Sequence, residues 1–204
     1  VHLNRQKADC FGWDRTGGER WDGLADSYEP GCTARQVEAV FVPLASLVDY
    51  VVHFGTTAER REVLAGYLRH RSALHSAGLT RGFQWLDGSF LEHVERLEGR
   101  TPNDVDVVTF FHLPAGRTQA ELAAAAPHLL DHAHGKSTYR VDSYLVHLGT
   151  SPERLARQSA YWYSVWAHRR DRLWKGFVQV DLSPAEDAAA GAALTGLAHP
   201  GAPP

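Results

Sequence analysis

The 204-residue chain contains no methionine and only two cysteines, Cys10 and Cys32. Two thiols are too few for a disulfide framework, and they lack the close pairing of a zinc site. Net charge is also scarce: the formal value of −3 argues against broad electrostatic attraction to nucleic acid and leaves room only for a local basic groove. Long apolar runs are missing as well. The most apolar window, residues 40–52, is interrupted by Pro43, Ser46 and Asp49, and no basic segment followed by an apolar run opens the sequence. A soluble, cytoplasmic protein with reduced thiols and no membrane partner is expected. What is present, 44% hydrophobic and 22% charged residues, suffices for one domain with a real core.

Residues 1–30 are polar and glycine-bearing, with Gly17-Gly18 and scattered Phe11, Trp13 and Trp21, and read as a flexible arm. A short helix over 35–41 is expected ahead of Pro43. Thr56-Thr57-Ala58-Glu59 has the form of a capping box, and Leu64, Tyr67, Leu68 and Leu74 recur behind it at helical spacing until Gly78. Arg60, Arg61, Arg69 and Arg71 on the opposite side read as a solvated face, although a helix packed beside a phosphate site could lend one of them to it. A second box, Thr118-Gln119-Ala120-Glu121, starts another helix. Ser151, Pro152 and Glu153 open a long amphipathic helix that turns Leu155, Trp162, Val165 and Trp166 toward a core. Its aromatic stripe of Tyr161, Trp162, Tyr163 and Trp166 could stack a base, but core packing is the ordinary meaning of that spacing. The closing His168-Arg169-Arg170 suits a helix C-terminus. A weakly apolar helix and a loose tail occupy 183–204, beyond the main domain.

Strands are expected over 83–90, 104–111, 139–147 and 175–182. In Asp104-Val105-Asp106 the alternation of a strand sends both carboxylates to one face and the valines to the other. Two carboxylates side by side repel unless a positive charge intervenes, and a hard divalent cation suits oxygen ligands. Their place at the start of the strand puts them at the sheet's edge, within reach of ligands. The Gly88-Ser89 turn ending the preceding strand offers backbone N–H groups and a hydroxyl for phosphate oxygens. Asp142, in a later strand rich in β-formers, either pairs with Arg140 or a nearby lysine or adds a third carboxylate to the pair. Gly135-Lys136-Ser137 is not a P-loop, because the earlier glycine of that motif would fall at Leu130. His132 and His134 have no third partner at a matching spacing and read as solvated.

Gly88-Ser89, then Asp104-Val105-Asp106, then Asp142 resembles the signature of the polymerase-β-like nucleotidyltransferases. The wording Trp85-Leu86-Asp87-Gly88-Ser89-Phe90 with Pro102-Asn103-Asp104-Val105-Asp106-Val107-Val108 is similar to a group of small bacterial proteins in that superfamily. Pro30-Gly31, residues 136–142 and Lys175-Gly176 add to the likeness, which covers roughly residues 30–182. The resemblance implies an α+β domain over 31–182, with helices packed on a mixed sheet of about four to five strands. It implies that Asp104, Asp106 and Asp142 bind two magnesium ions and act in catalysis. It further implies that Gly88 and Ser89 hold the triphosphate of a nucleoside triphosphate and that Lys136, Arg140 and Lys175 neutralise its charge. The reaction implied moves a nucleoside monophosphate to a hydroxyl on a small molecule, protein or RNA. No nucleic-acid-binding domain accompanies it, so a nucleic-acid acceptor has no support of its own. Two alternatives stand beside this reading. One is a nucleotidyltransferase-like regulatory partner, as in a toxin–antitoxin or defence pair, acting through protein contacts. The other is a structural domain whose acids are salt-bridged by Arg140 or Lys136.

Overall fold

A computed structural model describes residues 44–169 and 175–198. The arm, both cysteines and the helix expected over 35–41 lie outside the described residues.

Local signals place most of the helices. Helix α1 (Leu47–Phe54) is capped by Ser46, whose hydroxyl accepts from the Asp49 N–H at 3.0 Å. Helix α2 (Ala58–Ser76) is capped by Thr57, one residue later than expected, with the hydroxyl accepting from Arg60 N–H at 3.2 Å. That shift puts Arg60 rather than Glu59 at the third helical position, so no reciprocal box forms there. Strand β1 (Gly82–Asp87), the single turn α3 (Val94–Leu97) and strand β2 (Val105–Phe111) follow. Helix α4 (Gln119–Ala125) carries the full Thr118–Glu121 capping box. The short α5 (His132–His134) runs into a π-helical turn, Gly135–Tyr139, before strand β3 (Val141–His147). Helix α6 (Pro152–Trp166) is capped by Ser151 with Pro152 in its first turn, and strand β4 (Val178–Asp181) and helix α7 (Asp187–Ala198) complete the chain described.

The fold is α+β, built on a mixed sheet that has four strands among the described residues, in the order β3-β2-β1-β4. β1 runs antiparallel to β2 and β4, whereas β2 and β3 are parallel and need the long crossover that α4 and α5 supply. Alternation divides the side chains between two faces. Leu86, Val105, Val107, Val141, Val178 and Val180 pack against α1, α2 and α7 through Tyr50, Phe54, Leu64 and Leu194. The opposite face carries Val108, Phe110 and Val146, closed over by Trp166 and Phe177, with Trp85, Tyr144 and Trp162 at its margin. Asp87, Asp106 and Asp142 continue this second face.

Two of the four arginines expected on a solvated face of α2, Arg60 and Arg71, are buried instead, whereas Arg69 is exposed. Arg60 and Arg71 are 1% and 0% exposed. Arg71 donates to Gln84 Oε1 (2.8 Å), the carbonyls of Asp181 and Ser183 (2.9 and 3.0 Å) and Asp187 Oδ1 (2.8 Å), tying α2 to β1, the end of β4 and α7. Arg60 grips Glu95 at 2.6 Å and donates to the carbonyls of Phe90 (2.7 Å) and Glu92 (2.5 Å). It thereby fixes the segment that follows the Gly88-Ser89 turn. Burying a guanidinium is tolerable only when nearly every donor is used, and here the donors are supplied with partners. Helix α7 packs against α1 and α2: Ala190 is fully buried in the first core, and Glu186, just ahead of the helix, accepts from Leu47 N–H at 2.6 Å.

Candidate functional site

Strand register creates the site. Asp87 pairs with Asp106 across β1 and β2, and Asp106 pairs with Asp142 across β2 and β3, so three carboxylates form one row across three strands. Asp104 lies two residues before Asp106 on the same side, just ahead of β2. β2 is flanked on both sides, so the acids stand where the strand begins, at one end of the sheet. Immediately after Asp87, Gly88 takes φ 89° and ψ −174°, a conformation that side chains strongly disfavour. A β-carbon there would fall on Asp106 Oδ2 and within 3.0 Å of its Cγ, so only glycine lets the turn lie against the carboxylate. Ser89 starts a 3₁₀ turn, Ser89–Leu91, at the rim.

Above the row is a cleft of about 870 Å³. Asp87, Glu92, Asp104, Asp106 and Asp142 line it with Gly88, Ser89, Lys136 and Lys175, and Tyr144, Tyr161, Trp162, Val165 and Trp166 form its other wall.

Two connections deliver compensating charge. In the helical stretch before β3, His132 and Lys136 are four residues apart and therefore on one side. Lys136 Nζ is 2.8 Å from Asp142 Oδ2 and 3.8 Å from Asp104 Oδ2, and His132 Nδ1 is 3.2 Å from Asp142 Oδ1. The hydrogen bond to Asp142 raises the Lys136 pKa. Ahead of β4, Lys175 Nζ is 3.0 Å from Asp87 Oδ1, 3.4 Å from Glu92 Oε1 and 3.2 Å from the Gly88 carbonyl oxygen. Arg169 Nε holds the other Glu92 oxygen at 3.0 Å. The cations do not fully offset the acids. Burial, then repulsion from Asp104 and Asp142, pushes Asp106 up to about 6. Burial pushes Asp87 up to about 7 against the opposing pull of Lys175.

Of the residues singled out in the sequence, Gly88, Ser89, Asp104, Asp106, Lys136, Asp142 and Lys175 come together in this cleft. Arg140 does not. It occupies a left-handed conformation (φ 55°) at the end of the π-helical turn, and its guanidinium pairs with Glu62 of α2 at 3.1 Å. Asp142 finds its partner in the nearby lysine, not in Arg140. Sequence reasoning missed Asp87 and Glu92; a carboxylate closing an apolar strand directly before Gly88 was the available signal for the first. It also misread Val165, which is 47% exposed on the cleft wall rather than in the core. The basic residues after α6 do more than end a helix, since His168 and Arg169 both line the cleft.

Among the described residues, no group of three or more His, Cys, Asp or Glu side chains is drawn close enough to share a metal ion. The ammonium of Lys136 stands between Asp104 and Asp142 instead. The donor set is nonetheless of the kind a hard cation takes: carboxylate oxygens on adjoining strands, with Asp106 raised by burial and then by its carboxylate neighbours. Nor is any helix among the described residues long and apolar enough to cross a membrane.

No curated protein and no solved structure is significantly similar to the chain. Residues 33–181, which span the whole sheet and the cleft, match a family of unknown function (DUF6932), and the chain belongs to that family.

Proposed function

We propose that this protein is a metal-dependent nucleotidyltransferase of the polymerase-β-like kind, transferring a nucleoside monophosphate from a nucleoside triphosphate to a hydroxyl acceptor. The supporting observation is the register that sets Asp106 beside Asp142, with Asp104 adjacent and Gly88 against the carboxylate, all beneath a cleft of nucleotide size. Asp104, Asp106 and Asp142 are the residues to hold magnesium, two ions being expected. Magnesium, when bound, offsets charge on the triphosphate and acidifies the attacking hydroxyl. Asp142 accepts the proton of that hydroxyl as its oxygen bonds to the α-phosphorus, and the bond from the α-phosphorus to the bridging oxygen breaks to release pyrophosphate. Gly88 admits the phosphates to the backbone, Ser89 donates to them, and Lys136 leaves the carboxylates to meet phosphate charge. Lys175 neutralises the Asp87 side of the cleft.

A second reading, a nucleotidyltransferase-like partner with weak or no catalysis, is favoured by one observation: Lys136 already occupies the space between Asp104 and Asp142. Incubating the protein with each labelled nucleoside triphosphate and magnesium separates the two. Transfer or pyrophosphate release that is lost in the Asp104→Ala, Asp106→Ala double variant supports the enzyme. Equal signal from parent and variant overturns catalysis at this site. Nucleotide binding without turnover favours the second reading.

A further inference from the structure

The cleft has two unlike walls. Its floor is charged, whereas the wall supplied by α6 is aromatic and partly open. Tyr161, Trp162, Val165 and Trp166 fall at i, i+1, i+4 and i+5, one face of a helix. Trp166 satisfies the core-packing expectation: it is 6% exposed and packs with Val108, Phe110 and Phe177. Trp162 lies half-buried outside it, with its ring 5.3 Å from Trp166 and 4.5 Å from Tyr144 of β3. Tyr161 caps the series, 5.1 Å from Trp162, and is 58% exposed. The apolar stripe thus begins in the core and emerges in the cleft as an uncovered ring on a buttressed one.

Tyr144 joins the two walls. It follows Asp142 by two residues on the same face of β3, and its ring rests on Trp162. With the magnesium of the proposed function on the carboxylates, a ligand complementary to this arrangement has a flat apolar ring at one end and a polyanion at the other. We propose that Tyr161, backed by Trp162, is the stacking platform for the base of the nucleoside triphosphate. The assignment rests on the nucleotidyltransferase reading and adds a subsite to it. An exposed tyrosine face accepts any base by stacking, with purines favoured by their larger area.

The test compares ATP with inorganic tripolyphosphate, each with magnesium, by calorimetry on the full chain. The two ligands share the polyphosphate and differ in the nucleoside. Stacking predicts that the parent binds ATP roughly 5–100-fold more tightly than tripolyphosphate. Tyr161→Ala should abolish most of that preference and leave tripolyphosphate binding unchanged, while Tyr161→Phe retains it. Because Tyr161 is exposed, its truncation spares the core. The platform is overturned if the parent binds both ligands equally, if Tyr161→Ala keeps the preference, or if Tyr161→Ala weakens both ligands alike. If the parent binds neither ligand, the nucleotidyltransferase reading falls together with the platform.

Discussion

Gly88 is the residue on which the cleft's geometry turns, and replacing it by alanine separates two reasons for a glycine there. The first is conformational. At φ 89° and ψ −174° a side chain costs about 1–3 kcal/mol wherever it is placed. The second is positional: the new methyl falls on the Asp106 carboxylate, 3.0 Å from Cγ and 3.4 Å from Cβ. Asp106 has little freedom to retreat, because Asp87 and Asp142 flank it in register and repel it from either side. Strain and overpacking together predict a loss of about 2–4 kcal/mol. Gly99 is the matched control, with φ 65° and nothing within 4 Å of an added β-carbon. Gly99→Ala should cost only the conformational part, about 1–2 kcal/mol. Urea unfolding at constant m-value reads both losses. On the proposed nucleotidyltransferase reading, binding of a magnesium nucleotide should fall at least about tenfold in Gly88→Ala, a loss of about 1.4 kcal/mol, and hold in Gly99→Ala. Equal destabilisation in the two variants, with equal binding, would refute the claim that Gly88 is demanded by the carboxylate.

Two further predictions concern the supports of the sheet. His70 of α2 is 1% exposed, neither ring nitrogen has a hydrogen-bond partner among the described residues, and burial, then Arg71, lowers its pKa from 6.5 to about 4. The unfolded chain therefore binds this proton between pH 6.5 and 4 while the folded chain does not, so stability falls as pH drops through that window, by about 3 kcal/mol in total. Asp87 and Asp106, raised on folding, oppose this with the reverse sign, so the measurement is the difference between parent and His70→Phe: the variant should lose less stability from pH 6.5 to 4, and parallel curves would count against a buried neutral imidazole. Arg60→Met strands the carbonyls of Phe90 and Glu92 and should cost about 2–5 kcal/mol by urea midpoint, whereas Glu95, partly exposed, can turn to water; a loss under about 1 kcal/mol would mean that Arg60 is the exposed residue its sequence context suggests.

The features legible in the sequence were those set by neighbours. Caps at Ser151 and Thr118 follow from three or four consecutive residues, and the strand around Asp106 follows from its valines. At Thr56 and Thr57 the same logic chose the wrong hydroxyl, since Glu59 three residues on favours Thr56, whereas Thr57 caps the helix. The arginines of α2 were illegible for a different reason. Arg71 is read as exposed from its own helix, but its partners Gln84, Asp181, Ser183 and Asp187 come from three later segments. The acid row mixes both cases: alternation placed Asp104 and Asp106 together, while the alignment with Asp87 and Asp142 required strand order and register. The same limit separates Tyr161 and Val165 from Trp166. Helical spacing put all three near one face, and only the position of α6 at the sheet's end decided which of them met the core and which met the cleft.

The two lysines of the cleft are not equivalent, and their difference predicts how it responds to mutation. Lys136 is 50% exposed and is delivered by a short helical turn, so its pairing with Asp142 is worth little against water. Lys175 is 10% exposed and is held by Asp87, Glu92 and the Gly88 carbonyl oxygen, facing a carboxylate that is itself 3% exposed. Lys136→Ala should therefore cost less than about 1 kcal/mol. Lys175→Ala removes the main counter-charge of Asp87, which ordinarily costs about 3–5 kcal/mol for a buried pair. Here protonation offers relief. Burial already raises Asp87 to about 7, and removing the ammonium, which lowers that value, must raise it further. Below the new folded pKa the carboxyl is neutral and tolerates burial; above it the folded state must either hold an unpaired charge or open. The folded chain binds the proton where the unfolded chain does not, so stability falls with rising pH. Lys175→Ala should thus be mild at pH 6 and severe at pH 8 by urea midpoint, and Asp87→Asn in the same chain should remove the difference. A loss that is the same at both pH values would show that Lys175 acts through its packing and its bond to Gly88, not through the charge of Asp87.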